Sequence, residues 1–258
     1  MSHPEDPFQR PAGFFAGFLA ATAFFTLLPV EPHMHRAWRL TDSAWAFPLV
    51  GAGIGAIVAL TFFLTQLVGL GTWPAALLSV AASLALTGAL HEDGLADTAD
   101  GFFGGRDREE KLAILRDSRH GTYGVLAILL SVLLRAAALA GIGDPIHAGL
   151  ALIAAHAASR AALPAVMRGL TPARPDGLGA TAGAPRLSAA MAAVLIGSAI
   201  ALAALGPGRG LIALCLAAVL IFAMAAVARR QVGGYTGDIL GSLQQIGETL
   251  ILLAAAAR

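Results

Sequence analysis

Residues 73–101 read WPAALLSVAASLALTGALHEDGLADTADG, an apolar run that ends abruptly in a cluster of acids. Four acidic residues fall within the ten positions that follow the apolar run. Asp93, Asp97 and Asp100 are spaced at i, i+4 and i+7, so on a helix their carboxylates would share one face. Carboxylates at this density repel one another unless a cation joins them, and oxygen ligands of this kind suit Mg²⁺. The stretch therefore predicts a magnesium site at the edge of a hydrophobic segment.

The composition indicates a membrane protein. Of the 258 residues, 57% are hydrophobic and 13% are charged, against about 25% charged residues in soluble domains. The single cysteine, Cys215, excludes an internal disulfide and a cysteine-based metal cluster. Several apolar runs approach or exceed the ~18 residues typical of a transmembrane helix. We therefore predict an all-α, polytopic transmembrane helix bundle forming a single domain, residues 1–258. The eight predicted spans are 12–30, 47–70, 73–90, 122–142, 146–167, 188–205, 210–228 and 239–257.

Eight spans place every long polar connection on one side of the membrane. These connections carry twelve of the 17 basic residues, whereas the opposite side carries three. The positive-inside rule then puts them in the cytoplasm. We expect a multi-pass protein of the cell inner membrane whose active site opens to the cytoplasm. The connections are 31–46, 91–121, 168–187 and 229–238.

A second polar motif, RDSRHGTYG at 116–124, follows the acidic stretch. Guanidinium groups bind phosphate oxygens bidentately, so its two arginines suit a diphosphate ligand. The alternative is an ordinary basic cluster beside the membrane. The candidate binding residues in this motif are Arg116, Asp117, Ser118 and Arg119.

Three further residues are candidates from separate segments. Arg160 lies within an apolar span, so it should face the interior and pair with an acid; a purely structural ion pair is the alternative role. Arg174 lies in a loop rich in Pro and Gly. Asp238 follows three glycines at a predicted helix start, where it would either join an anion-binding turn or only cap the helix. The glycines at 51, 53 and 55 suit close helix packing, and simple small-residue filler is the alternative.

Four motifs in this order resemble the cobalamin synthase family, the adenosylcobinamide-GDP ribazoletransferases. They are HEDGLADTADG (91–101), RDSRHGTYG (116–124), RPDGLG (174–179) and GGYTGDILG (233–241), and the likeness extends over residues 24–248. The resemblance implies a Mg²⁺-dependent membrane enzyme that joins adenosylcobinamide-GDP to α-ribazole or α-ribazole 5′-phosphate and releases GMP. The expected partners are these small molecules and membrane lipid, without nucleic acid, and an oligomer is compatible with them.

On this hypothesis, Asp93, Asp97 and Asp100 hold one or two Mg²⁺ ions, and Arg116 and Arg119 bind the same diphosphate. His91 is the candidate general base for the attacking ribose hydroxyl, and a metal-bound carboxylate is the alternative base. Glu92 points away from the shared face and is excluded. The catalytic candidates are His91, Asp93, Asp97 and Asp100; the substrate-binding candidates are Arg116, Asp117, Ser118, Arg119, Arg160, Arg174 and Asp238.

Three other classes also use acidic clusters at membranes. CDP-alcohol phosphotransferases begin their motif with Asp-Gly-x-x-Ala-Arg, whereas Asp97 follows Ala96 here. Membrane prenyltransferases usually carry a second Asp-rich loop, which the lone Asp238 does not supply. A cation-coupled transporter would spread its acids through the spans, but here they cluster at one face, with Glu248 as the main exception.

Overall fold

The computed structural model describes residues 14–30, 39–117 and 119–257. Apart from an isolated bridge between Pro172 and Tyr235, these residues form helices and their connections. The helices are α1 (Phe14–Phe25), α2 (Phe47–Leu67), α3 (Thr72–Thr87), α4 (Leu90–Gly104), α5 (Arg108–Ile114), α6 (Thr122–Ile142), α7 (Pro145–Gly169), α8 (Leu178–Ala182), α9 (Leu187–Leu205), α10 (Pro207–Val232) and α11 (Gly237–Ala256), with a 3₁₀ helix at Leu40–Ala46 before α2.

Each of the eight predicted spans coincides with an apolar helix, which confirms the all-α membrane bundle. Six helices in the described part of the chain are long and apolar enough to cross a membrane, and the bent pair α3 and α4 makes a seventh when it is counted as one span. The count falls short of eight because α1 has only 12 residues and α3 only 16. Residues 12–13 and 31–38 of the predicted segments lie outside the described residues.

The outer surface of the bundle is strongly apolar. On α6 alone, four leucines are each about half exposed. A continuous surface of this kind is unfavourable in water and suits contact with lipid tails. These side chains are Leu126, Leu129, Leu130 and Leu133.

Helix α7 lies at the centre and packs against α2, α9 and α11. A Cβ atom added at Gly55 of α2 would lie 2.7 Å from the backbone oxygen of Leu152, and one at Gly51 would collide with the backbone oxygen of His156. The predicted packing role is therefore confirmed for these two glycines. It is wrong for Gly53, whose added Cβ atom meets nothing within 4 Å.

A sharp bend separates the apolar helix α3 from the acidic helix α4. The two helix axes meet at 92°, because Gly88 and Ala89 both adopt the left-handed conformation, with φ of 63° and 54°. Glycine accepts this conformation freely, whereas for alanine it costs about 1–2 kcal/mol. The bend turns α4 out of the direction of α3.

We expect Ala89→Gly to relieve this backbone strain. The control is Ala85→Gly in the last turn of α3, which adds the same flexibility to the unfolded chain but relieves no strain. Thermal unfolding in detergent should show Ala89→Gly to be more stable than Ala85→Gly by about 1–2 kcal/mol. Equal losses of stability in the two variants would contradict the strained bend.

Candidate active site

Side chains from the four predicted connections meet at one end of the bundle. The Thr41 hydroxyl donates to the carbonyl of Ala182 at 2.7 Å. The Arg108 guanidinium donates to the carbonyls of Val232, at 2.9 Å, and Ala173, at 2.7 Å. These hydrogen bonds join all four polar connections into one surface, as the span pattern predicted.

Close contact between α4 and the start of α11 gives this surface its acidic centre. A Cβ atom added at Gly94 would lie 2.7 Å from the backbone oxygen of Asp238. One added at Gly241 would lie 3.3 Å from the backbone of His91. Because neither position carries a side chain, the first turn of α11 lies directly against α4. Asp238 thereby comes close enough to Asp93 for their charges to interact.

Asp93 and Asp97 converge with a residue to which the sequence analysis gave no role, His120. The Oδ1 atom of Asp93 lies 3.7 Å from His120 Nε2, and Oδ1 of Asp97 lies 3.6 Å from His120 Nδ1. The Asp93 side chain is 63% exposed, whereas that of Asp97 is only 14% exposed. His120 belongs to the quoted RDSRHGTYG motif, but nothing in the sequence shows that this loop returns to α4.

The geometry of these three side chains fits one bound cation. One ligand atom from each residue can be chosen so that all three lie within 4.8 Å of one another. Ligands of an octahedral Mg²⁺ are about 2.1 Å from the ion, so ligand atoms are roughly 3 Å apart when adjacent and roughly 4.2 Å apart when opposite. Carboxylate oxygens are the ligands that Mg²⁺ prefers, and the imidazole adds a nitrogen donor that transition metals also accept. Asp97 also interacts electrostatically with Asp238, which adds to the negative charge around the cluster.

Asp100 lies deeper and has other partners. Its Oδ2 atom accepts a hydrogen bond from the backbone N–H of Gly121 at 2.7 Å, and Oδ1 accepts one from Gly124 at 2.9 Å. A Cβ atom at Gly121 would lie 2.6 Å from Asp100 Oδ1. Asp100 therefore fixes the start of α6, and with it the loop that carries His120. Metal binding by Asp100 stays a prediction, which the position of its oxygens does not favour.

The two arginines predicted to bind a diphosphate both form exposed ion pairs. Arg116 Nη2 lies 2.6 Å from Asp176 Oδ2. Arg119 Nη2 lies 2.7 Å from Asp117 Oδ2, and hydrogen bonds from this arginine lower the pKa of Asp117 to about 2. Ser118 lies outside the described residues. Each guanidinium group is held by a carboxylate partner that a stronger anion could replace.

Arg174 is paired with Asp238 on the other side of the surface. Arg174 Nη2 donates to Asp238 Oδ2 at 3.3 Å, and the Thr236 hydroxyl donates to the same oxygen at 3.1 Å. Thr236 also caps α11, since its hydroxyl accepts from the backbone N–H of Ile239. Asp238 is therefore free of the capping role that was the alternative, and it faces the site.

A buried network of ions lies beneath the acidic helix. Arg135 of α6 lies 2.9 Å from Glu92 of α4 and 3.0 Å from Glu248 of α11. Glu248 also lies 3.1 Å from His156 and 3.7 Å from Arg160. Two arginines thus balance two glutamates in the bundle interior, where unpaired charges are costly. Glu92 does point away from the aspartates, as predicted, but it holds α4 in place.

The buried network shows where the side chains of Arg160 and His91 lie. Arg160 faces the interior and has an acidic partner, which confirms its predicted placement. Its guanidinium carbon also lies 5.6 Å from the centre of the Phe25 ring. His91 is 3% exposed and stacks on the Phe25 ring, with ring centroids 5.6 Å apart. Substrate contact by Arg160 and base catalysis by His91 stay predictions.

A cavity of about 310 Å³ opens beside the acidic cluster. Its lining combines buried aromatic and aliphatic side chains with two carboxylates at the edge. No single stretch of sequence predicts this cavity, because its walls come from six separate segments. The wall includes Phe25, Phe47, His91, Leu163 and Met167, and the carboxylates of Asp93 and Asp238 also line the cavity.

Fold and site together define a polytopic helical membrane protein with an acidic, arginine-rich site at one end of its bundle. The cobalamin-5-phosphate synthase family model matches residues 17–256. The chain belongs to this family.

Several curated relatives cover nearly the whole chain. The adenosylcobinamide-GDP ribazoletransferase of Bradyrhizobium diazoefficiens is 50% identical over 238 residues, 92% of each chain. The enzyme of Mesorhizobium japonicum is 47% identical over 90% of each chain. The enzyme of Azorhizobium caulinodans is 45% identical over 95% of this chain and 97% of the relative. No solved structure shows a significant match. These relatives do not favour the CDP-alcohol phosphotransferase, prenyltransferase or transporter alternatives.

Removing the shared cation of the buried network should destabilise the protein strongly. We expect Arg135→Met to cost about 3–5 kcal/mol, because two buried glutamates then share a single arginine. Thermal or denaturant unfolding in detergent measures this loss. The double variant Arg135→Met/Glu92→Gln restores the charge balance and should cost less than the sum of the single variants.

The matched control is Arg209→Met at the exposed start of α10, which should change stability by no more than about 0.5 kcal/mol. An Arg135→Met variant as stable as this control would show that the network does not hold the bundle together.

Proposed function

We propose that the protein transfers the cobinamide phosphate of adenosylcobinamide-GDP to α-ribazole or α-ribazole 5′-phosphate. A ribose hydroxyl oxygen of the acceptor attacks the phosphorus on the cobinamide side of the diphosphate. The bond from that phosphorus to the bridging oxygen breaks, and GMP leaves. The product is adenosylcobalamin or its 5′-phosphate, and the hydroxyl proton passes to a base. Membership of the family and relatives named as ribazoletransferases support this reaction.

The observation that carries the proposal is the convergence of Asp93, Asp97 and His120 at the surface where the polar connections meet. Their ligand atoms have the spacing of a cation site, and phosphoryl transfer depends mainly on positioned positive charge. We propose that these three side chains hold Mg²⁺, with Asp238 adding to the negative field. When bound, Mg²⁺ would neutralise the diphosphate and stabilise the departing GMP.

The arginines around the cluster supply the remaining positive charge. Arg116, Arg119 and Arg174 each pair with a carboxylate at the site. A diphosphate offers more charge and more acceptor oxygens than a single carboxylate, so it can take over these guanidinium groups. Exchange of partners would let the arginines close around the substrate without leaving any of them unpaired beforehand.

The proton of the attacking hydroxyl needs an acceptor beside the cluster. His91 is our candidate, because its ring lines the cavity next to Asp93. Asp97 is the alternative, because a metal-bound carboxylate beside the attacking hydroxyl could take the proton in place of the histidine.

We propose that the site faces the cytoplasm of a multi-pass inner-membrane protein. The support is the excess of basic residues in the polar connections, which fits the positive-inside rule. The apolar outer surface would contact membrane lipid. A cytoplasmic site would have direct access to the nucleotide substrate and would release GMP into the same compartment.

The test is product formation by the purified protein. Incubation with adenosylcobinamide-GDP and each form of α-ribazole should yield a corrinoid product of the expected mass together with GMP, in the presence of Mg²⁺ but not of a chelator. Asp93→Asn and Asp97→Asn should each lower the rate about 100-fold or more, because an amide removes charge where the phosphate charge is stabilised.

Asp144→Asn is the matched control. Asp144 caps α7 at the far end of the bundle, with its Oδ1 atom 2.8 Å from the backbone N–H of His147. Asparagine caps helices as well as aspartate does, so this variant should keep wild-type turnover. Wild-type turnover in Asp97→Asn would refute the assignment of the acidic cluster.

A further inference from the structure

The cavity beside the acidic cluster has two zones of different chemistry. Its wall is formed by Phe25, Phe47, Leu163 and Met167, all at most 6% exposed. Its edge carries Asp93 and Asp238. A concave apolar pocket with a few polar groups at one side is the usual form of a small-molecule site.

The wall contains aromatic side chains in defined orientations. Phe25 meets Phe47 edge to face, with centroids 4.8 Å apart at 88°. The same ring stacks on His91 at an angle of 20°. These contacts fix three ring systems in place, and aromatic faces and edges of this kind bind further aromatic rings in defined orientations.

Asp93 belongs to both the cavity and the cation cluster. A ligand whose apolar part occupies the cavity therefore lies beside Asp93, next to the proposed reaction centre. Because the apolar cavity and the cation cluster share Asp93, the ligand that fits has an apolar ring at one end and its reacting group close to that ring.

Only one part of the proposed substrates meets this description. The corrin macrocycle with its amide arms is much larger than the cavity of about 310 Å³. Guanine carries several donors and acceptors on its edge, and the apolar part of the wall, formed by Phe25, Phe47, Leu163 and Met167, offers them no partner. The dimethylbenzimidazole of α-ribazole has an apolar edge and a single free ring nitrogen, for which the His91 imidazole offers one polar partner.

We propose that this cavity binds the benzimidazole base of α-ribazole and sets the specificity for that base. The ribose then lies at the edge of the cavity, with its hydroxyl beside Asp93. Adenosylcobinamide-GDP approaches from the side that carries Arg116, Arg119 and Arg174. This inference rests on the proposed function, since it takes the acceptor from that reaction. Met167 and Leu163 contact the edge of the base and exclude polar rings.

The first test uses the wild-type protein and a series of ribosides, with binding measured by titration calorimetry without the second substrate. Loss of both methyl groups from the base should weaken binding about 10-fold, because each methyl group fills apolar space. A purine riboside should bind at least about 100-fold more weakly than α-ribazole, since its ring edge is polar. Equal binding of all three would overturn the proposal.

The second test fills the cavity. Met167→Trp should raise the dissociation constant and KM for α-ribazole about 10-fold or more, with KM for adenosylcobinamide-GDP within about twofold of wild type. Leu195→Trp, at a side chain of α9 that is 66% exposed, is the matched control and should change neither value. A selective rise in KM for adenosylcobinamide-GDP would assign the cavity to the other substrate and overturn the proposal.

The two tests separate this inference from the proposed function. If α-ribazole binds and Met167→Trp weakens it, but no GMP is released, the cavity assignment stands and the reaction is wrong. If turnover occurs and neither the riboside series nor Met167→Trp alters the affinity for α-ribazole, only the cavity assignment fails. If Met167→Trp does not fold, the riboside series on wild-type protein decides.

Discussion

The placement of Arg135 between Glu92 and Glu248 constrains the rest of the structure. These charges are buried in an apolar bundle, where each would cost several kcal/mol if it lost its partner. The ion pairs at 2.9 and 3.0 Å therefore tie α4, α6 and α11 to one another. Successive residues on a helix point about 100° apart. Pinning Glu92 into the interior thus turns Asp93 outward, to the surface where the polar connections meet.

With the rotation of α4 fixed, the site is completed by two close contacts. Gly94 lets α11 bring Asp238 against the acidic helix. Asp100 accepts hydrogen bonds from Gly121 and Gly124 and so holds the loop that carries His120. The carboxylates of one helix, an imidazole from a loop and the start of another helix then lie together. The carboxylates of this site suit a bound cation, and its arginines suit a diphosphate.

Much of the fold follows from the sequence alone. The predicted span at 122–142 matches α6 residue for residue, because nothing interrupts its apolar run. The last predicted span contains Gln244, Gln245 and Glu248, and all three are buried in α11 as part of the polar interior. The Arg160 side chain also faces inward as predicted. Hydrophobicity and the cost of burying charge were enough for these features.

Other features depend on contacts between distant segments, which no single stretch of sequence contains. The 92° bend rests on Ala89 in a conformation that alanine rarely adopts, so only Gly88 marks it in the sequence. The i, i+4, i+7 spacing placed Asp93, Asp97 and Asp100 on one face. It did not indicate that backbone N–H groups would donate hydrogen bonds to both carboxylate oxygens of Asp100. The role of His120 and the aromatic cavity required the positions of separate helices.

The most direct test of the acidic cluster is metal binding itself, with paramagnetic Mn²⁺ in place of Mg²⁺. Electron paramagnetic resonance should show stoichiometric Mn²⁺ bound to the wild-type protein in detergent. Addition of adenosylcobinamide-GDP should change the spectrum of the bound ion, because phosphate oxygens would join its ligands. Bound Mn²⁺ should be lost in Asp93→Asn/Asp97→Asn and retained in Asp144→Asn. Equal Mn²⁺ binding by the double variant and the wild type would contradict a cation site formed by Asp93, Asp97 and His120.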